Sequence, residues 1–247
     1  MKYVDIGRAI DYIHDYSDKI IILDIEPNET VDWKLLSELP KENLVICIRD
    51  LQMAQLCKEY DIKFYWNYAI ISFYELNGII KLEPEYILLG PPLSFNLKKV
   101  KSITDIKIRL CPNNAQDFYI PREDGICGQW IRPEDVELYD EYVDVFEFIT
   151  HDMEHERVLL KVYSENKKWP GNLNLLITGL NHDVPNATLP EETGANRINC
   201  GQRCMSGGAC KFCITAMKFS NTIRNEYYAR LKQKIAEDKA EDNASKE

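Results

Sequence analysis

The chain has 247 residues, 45% of them hydrophobic, which suits one large domain or a domain with a small appendage. A formal net charge of −10 argues against nucleic-acid binding by the surface as a whole, and no apolar run approaches the length of about eighteen residues that a membrane span needs. Eight cysteines in a chain with a proper core do not describe a small secreted disulfide scaffold, and the amphipathic, acid-bearing start MKYVDIGRAIDYIHDY does not describe a signal peptide, so a cytoplasmic protein is expected.

Short apolar runs rich in Ile, Val, Tyr and Phe recur along the chain: KIIILDI (19–25), NLVICIR (43–49), IKFYWNY (62–68), EYILLG (85–90), DIKIRL (105–110), VDVFEF (143–148) and NLNLLIT (172–178). Each has the length of a buried strand and little polar alternation, as parallel strands covered on both faces have. Cys47, in the second run, and Cys57, in the helical stretch after it, read as small buried hydrophobes. Between the strands lie VDWKLLSELP, DLQMAQLCKEY, AIISFYELNGIIKL, SFNLKKVKSI, PEDVELYDEY and EHERVLLKVYSEN, with apolar residues three and four apart. Asp50 and Ser94 are expected helix caps, and Pro133 a first-turn residue.

Seven strand–helix repeats predict a parallel α/β domain. KYVDI (2–6) supplies an eighth strand or the start of the first helix, and eight strands would close a (β/α)8 TIM-like barrel of the usual size. A doubly wound sheet is the alternative, but no GxGxxG or Walker loop follows any strand. The expected organisation is a barrel over 1–190, a cysteine-rich metal-binding segment with a basic terminal helix over 191–235, and a disordered acidic tail over 236–247.

In such barrels the active site lies where strands end. Those ends carry Asp24 and Glu26, Arg49 and Asp50, Asn67 and Tyr68, Arg109 with Cys111 and Asn113–Asn114, Glu147 with Thr150 and His151, and Asn181 with His182. Polar strand ends that meet water and cap helices account for part of this set. From the rest, Asp24, Arg109, Asn113 and Glu147 are the candidates for positioning a polar substrate. Cys111 opens the longest predicted loop, which also holds Cys127; either thiol could ligate, react or sit buried. Farther on, His151-Asp-Met-Glu154-His155 is formally the H-x-x-E-H pattern of inverzincins, yet it falls at a strand-to-helix junction and reads as exposed first-turn residues.

INCGQRCMSGGACKFC (198–213) holds Cys200, Cys204, Cys210 and Cys213, half of the cysteines, spaced C-x3-C-x5-C-x2-C. Four thiolates hold Zn2+ or an iron–sulfur cluster. Only Cys210–Cys213 has the zinc-knuckle form, and a compact winding loop with Gly201, Gly207 and Gly208 suits a cluster better, with Zn2+ as the alternative. Residues 204–213 resemble the C-x5-C-x2-C loop of adrenodoxin-type 2Fe–2S ferredoxins, including the Ala before the middle Cys. From Arg197 to Lys234 eight basic residues face one acid, Glu226. This local charge neutralises an anionic cluster, lies on a solvated helix face, or meets an anionic partner such as RNA or a phosphorylated substrate.

The run NYAIISFYELNGIIKLEPEYILLGPPLSFNLKKVKSI and the later IRPEDVELYDEYVDVFEF resemble the peptidase U32-like proteins, over roughly residues 62–165. The resemblance implies a barrel, a cysteine-bound cluster of the 4Fe–4S type in preference to 2Fe–2S, and roles in RNA or quinone hydroxylation or peptidase activity. FEFITHD replaces that family's K-I-E-G-R-like stretch and the C-terminal cysteine spacing differs, so only fold and cluster carry over. Two functions follow as expectations. One is an iron–sulfur barrel enzyme or modification factor; the other is a non-catalytic adaptor in which zinc staples a basic C-terminal module.

Overall fold

The computed structural model describes residues 21–25, 30–39, 44–90, 93–114, 129–179, 185–189, 191 and 193–198. They gather into two compact units, the first up to Leu110 together with Asp140–Glu147, the second comprising Cys111–Tyr139 and the residues from Phe148 on. The predicted strand at 2–6, Cys127, Asn181 and His182, the cysteine-rich segment and the acidic tail lie outside the described residues.

The first unit is a curled, wholly parallel six-stranded sheet. Its strands are β1 (Ile21–Asp24), β2 (Leu44–Ile48), β3 (Phe64–Ile70), β4 (Tyr86–Leu89), β5 (Lys107–Leu110) and a late strand, Val145–Phe146. They stand side by side in chain order. A doubly wound sheet reverses direction partway along its strand order, and this one does not. With right-handed crossovers, an unreversed order sends every connection to the same side, so one face carries helices and the other curls inward.

The helices are α1 (Trp33–Glu38), α2 (Leu51–Glu59), α3 (Phe73–Ile79) and α4 (Leu97–Lys101). Their starts follow from side-chain chemistry. Asp32 accepts from the Leu35 amide at 3.0 Å, and Asp50 from the Gln52 and Met53 amides at 2.8 and 3.2 Å. Ser72 accepts from the Glu75 amide while Glu75 reaches back to the Ile71 amide, a reciprocal arrangement of the capping-box kind. Asp50 acts as expected, whereas Ser94 is buried in a 310 turn (Leu93–Phe95) and Asn96 occupies the cap position of α4.

The second unit holds a two-stranded antiparallel pair, β6 (Asn113–Asn114) and β7 (Gln129–Trp130), so the late strand of the first sheet is β8. It also holds α5 (Met153–Ser164) and α6 (Thr193–Ile198). Its core packs Trp130, Leu159, Tyr163, Leu173, Leu176, Ile177 and Leu189, and the Tyr163 hydroxyl donates to the Ile131 carbonyl at 2.8 Å. Two predicted elements take other forms here. The run at 172–178 is not a strand: Leu173–Leu175 is a 310 turn, with the Leu176 and Ile177 amides bonded to the Leu173 carbonyl. A short apolar run reads alike whether it is a buried strand or a buried turn. PEDVELYDEY forms a 310 helix over Pro133–Tyr139, opened by the Asp135 amide bonding the Arg132 carbonyl three residues back. The Arg132 and Asp135 side chains pair across the same spacing, at 2.5 and 2.9 Å.

That pair sets a test of packing. A Cβ on Gly194, in α6, would collide with the Asp135 carboxyl, which the buried Arg132 holds in place. Gly194→Ala should lower stability by about 1–3 kcal/mol in urea unfolding. Gly78, inside α3, has nothing within 4 Å of a would-be Cβ, so Gly78→Ala should raise stability by roughly 0.5–1 kcal/mol. Equal signs for the two variants would contradict this packing.

Candidate active-site rim

The register of the parallel sheet decides which side chains share a face. Asp24 pairs with Cys47, Cys47 with Tyr65, Tyr65 with Tyr86, Leu88 with Arg109 and Arg109 with Val145. Since side chains alternate along a strand, Asp24, Cys47, Tyr65 and Arg109 line one face, and the strand ends continue it with Arg49, Asn67 and Glu147. Trp66 and Ile70 instead line a cleft with residues of α2 and α3, which marks their face as the helix side. The polar set therefore lies on the inward face, at the carboxyl ends of the strands.

Arg109 organises this face. It is 3% exposed, and a buried guanidinium needs acceptors because it does not shed its proton. Glu147 supplies a carboxylate in direct contact, Asn67 Oδ1 accepts from Nη2 at 3.2 Å, and Cys47 Sγ lies 3.9 Å from Nη1. The guanidinium also sits 5.4 Å above the centre of the Tyr65 ring, within cation–π range. Beside this group Arg49 donates to Asp24 at 2.7 Å, with both side chains about a quarter to a third exposed. The rim thus carries two guanidinium–carboxylate pairs. A phosphate or carboxylate on a substrate would compete with Glu147 and Asp24 for the two arginines, whose planar donors suit bidentate anions.

Burial disfavours the thiolate of Cys47. Burial pushes the Cys47 thiol up to about 12; Arg109 lowers it, while Asp24 and Glu147 raise it. A thiol so protonated is a poor nucleophile and a poor ligand near neutral pH. Burial likewise raises Cys57 and Tyr65 to about 12.

Of the four predicted positioning residues, three belong to this rim: Asp24, Arg109 and Glu147. Asn113 stands in the second unit, fully buried. Its amide donates to the Ile149 carbonyl at 2.7 Å and accepts from the Ile149 amide at 2.9 Å, so it stands in for a strand partner. Cys111 Sγ donates to the Asn113 amide oxygen at 3.5 Å. In the H-x-x-E-H stretch, Asp152 caps α5 by accepting from the His155 amide at 2.7 Å. The rings of His151 and His155 stack in parallel, 5.1 Å apart, and His155 Nδ1 accepts from the His151 amide. Two parallel rings do not converge on one ion; Glu154 and His155 lie in the first turn of α5, and His151 stands just ahead of its cap.

The site includes residues that the sequence reading did not select. In the sequence Cys47 reads as core, and Arg49 and Asn67 are two polar strand ends among many. The period of two along each strand holds the signal, but it becomes usable only once the register says which parity faces inward.

Among the described residues no group of three or more His, Cys, Asp or Glu side chains could hold a metal ion. The predicted ligands Cys200, Cys204, Cys210 and Cys213 lie outside those residues, and the case for a metal there rests on the donor set itself: four thiols within fourteen positions. No helix among the described residues is long and apolar enough to cross a membrane. Compared with protein-family models, with curated proteins and with solved structures, the chain matches none.

The buried acids give a pH dependence with a definite sign. A thiol or phenol whose folded pKa is raised stays protonated in the native state while the unfolded chain loses its proton. Its stabilisation is complete below the unfolded pKa, near 9 for a thiol, and is lost as pH rises towards the folded value of about 12. Unfolding free energy should therefore fall between pH 9 and 12, and the slope should be shallower in Cys47→Ser/Cys57→Ala. An unchanged slope would show that these thiols are not buried.

Proposed function

We propose that this protein is an iron–sulfur enzyme or modification factor whose substrate is held on the inward rim of a barrel-type sheet. The observation that carries the reading is the convergence of Asp24–Arg49 and Arg109–Glu147–Asn67 on one face, at the carboxyl ends of strands in sequential order. Paired guanidinium and carboxylate groups at strand ends, on a face otherwise built for burial, are placed to meet a polar ligand.

On this reading Arg109 and Arg49 bind the anionic part of the substrate. Glu147 and Asp24 orient them and are the groups placed to accept a proton. Cys200, Cys204, Cys210 and Cys213 would hold the cluster, 4Fe–4S in preference to 2Fe–2S, and its chemistry is electron transfer or substrate activation. The complete eight-stranded barrel over 1–190, the metal-binding segment over 191–235, the tail over 236–247 and a cytoplasmic setting belong to the same proposal. So does kinship with the U32-like proteins, which rests on the motifs of residues 62–165 and points to RNA or quinones as first substrates, ahead of peptides.

Full-length protein purified without oxygen should contain iron and acid-labile sulfide in near-equal amounts, and both should be lost when the four cysteines are changed to serine. Zinc without sulfide would overturn the cluster and favour the stapled adaptor, and iron that survives the substitutions would overturn the four cysteines as its ligands. For the rim, Glu147→Gln and Asp24→Asn should keep the iron yet lower turnover on RNA or quinone substrates by roughly a hundredfold or more, the usual size of a general acid–base contribution. Full turnover in both variants would overturn the rim as the reacting site.

A further inference from the structure

On the helix side of the first unit, α2, α3 and the outer face of β3 line a cleft of about 730 Å³. That volume falls within the range of small-molecule sites, about 300–1,000 Å³. Its wall is aromatic and aliphatic, with Trp66 and Ile70 at the base and Leu51, Tyr68 and Tyr74 at the mouth. The three mouth residues are 55%, 60% and 89% exposed, among the most exposed large apolar side chains of the described residues. Several large apolar groups gathered at one concavity mark a binding surface, where scattered single ones would not.

Two further observations point to what the cleft takes. Trp66 is 5% exposed, and its indole Nε1–H is buried with no hydrogen-bond partner. Buried indole N–H groups ordinarily find an acceptor, and one without is destabilising. The other observation is Gly78, an exposed residue inside α3 that lines the cleft and whose Cβ would meet nothing. Glycine weakens a helix interior, and here its effect is to leave open space where any larger side chain would stand. The charges on the wall balance: Arg49 and Lys81 face Asp50 and Glu75. Three of the four are engaged in the fold, Arg49 with Asp24, Asp50 in capping α2, and Glu75 with the Ile71 amide.

We propose that this cleft binds a planar, uncharged heteroaromatic molecule that stacks on Tyr68 and Tyr74 and presents an acceptor to Trp66 Nε1. Ring stacking supplies affinity on a wall of this composition. The single buried donor selects a ring nitrogen or carbonyl over a hydrocarbon of the same shape. The balanced wall selects against an ion. Arg49, paired with Asp24, stands at the edge that the cleft and the rim share, but the proposed ligand needs neither the rim reaction nor a cluster on the cysteines.

The test is a ligand-observed NMR screen of the full-length protein against purines, pteridines, quinolines and isoalloxazines, with naphthalene derivatives of similar size as controls. At least one heteroaromatic class should bind, and should displace the others. Gly78→Trp, at a position with open space around it, should abolish binding without loss of secondary structure, while Gly78→Ala should retain it. Trp66→Phe should weaken the heteroaromatic ligand by about two- to tenfold, the range for one neutral hydrogen bond, and leave the naphthalenes unchanged. Binding should persist in the four-cysteine variant and in Glu147→Gln, which separates this site from the proposed reaction. Absence of any signal sensitive to Gly78→Trp would overturn the proposal. So would a wild-type dimer in light scattering that Gly78→Trp dissociates, since a second copy would then be the occupant.

Discussion

A guanidinium that cannot deprotonate sits almost wholly buried on the inward face of a parallel sheet, and the first unit is arranged around that fact. Arg109 needs anionic and polar acceptors within reach, and each comes from a different strand: Glu147 after β8, Asn67 from β3 and Cys47 from β2. The contacts therefore restrain how those strands lie beside one another. The hydrophobic outer face gives no such restraint, because isoleucine and leucine pack in many registers of similar energy. A buried ion pair is not in itself a source of stability. Its value here is that the inward face is polar at one end, in a fixed pattern, and a polar pattern can recognise something.

The same chemistry serves structure alone in the second unit. Arg132, 2% exposed, holds Asp135 through two hydrogen bonds and donates to the Glu191 carbonyl at 2.9 Å. Asn186 donates to Glu134 at 2.6 Å and to the Trp169 carbonyl at 3.0 Å. Asn113 completes backbone pairing for Ile149. These polar residues are as buried as Arg109, yet their bonds go largely to neighbouring backbone and to helix ends in a unit with little regular strand. Unpaired backbone groups must be satisfied somewhere, and where short elements supply no ladder, side-chain amides and carboxylates do. The rim differs because its pairs lie where the sheet already satisfies its own backbone.

Part of this was legible in the amino-acid sequence. Six apolar runs became six parallel strands because β-branched and aromatic residues in runs of that length have few other stable homes. The helix start at Asp50 followed from a carboxylate placed to accept amides of the first turn. The run at 172–178 misled because burial, not strand geometry, is what an apolar run reports; Leu173, Leu176 and Ile177 are buried in and just after a 310 turn. Asn113 looked like Arg109, a polar residue near the end of a strand, and only the position of Ile149 shows that its amide completes a backbone pair.

The amino-acid sequence alone carries the class of the first unit, the four candidates Asp24, Arg109, Asn113 and Glu147, and the expectation of a metal at a thiol-rich segment. Each of these depends on local chemistry: periodicity, capping, and the kinds of atom a side chain carries. Tertiary structure decided the rest, namely that Arg109 reaches Glu147 and Asn67, that Cys47 is a partner on the rim besides being core, and that Trp66 is buried beside an open cleft. The physical reason is register. Residues 24, 47, 67, 109 and 147 meet only when each strand is placed beside its neighbour to within one residue, and a shift of one would turn every one of those side chains to the opposite face.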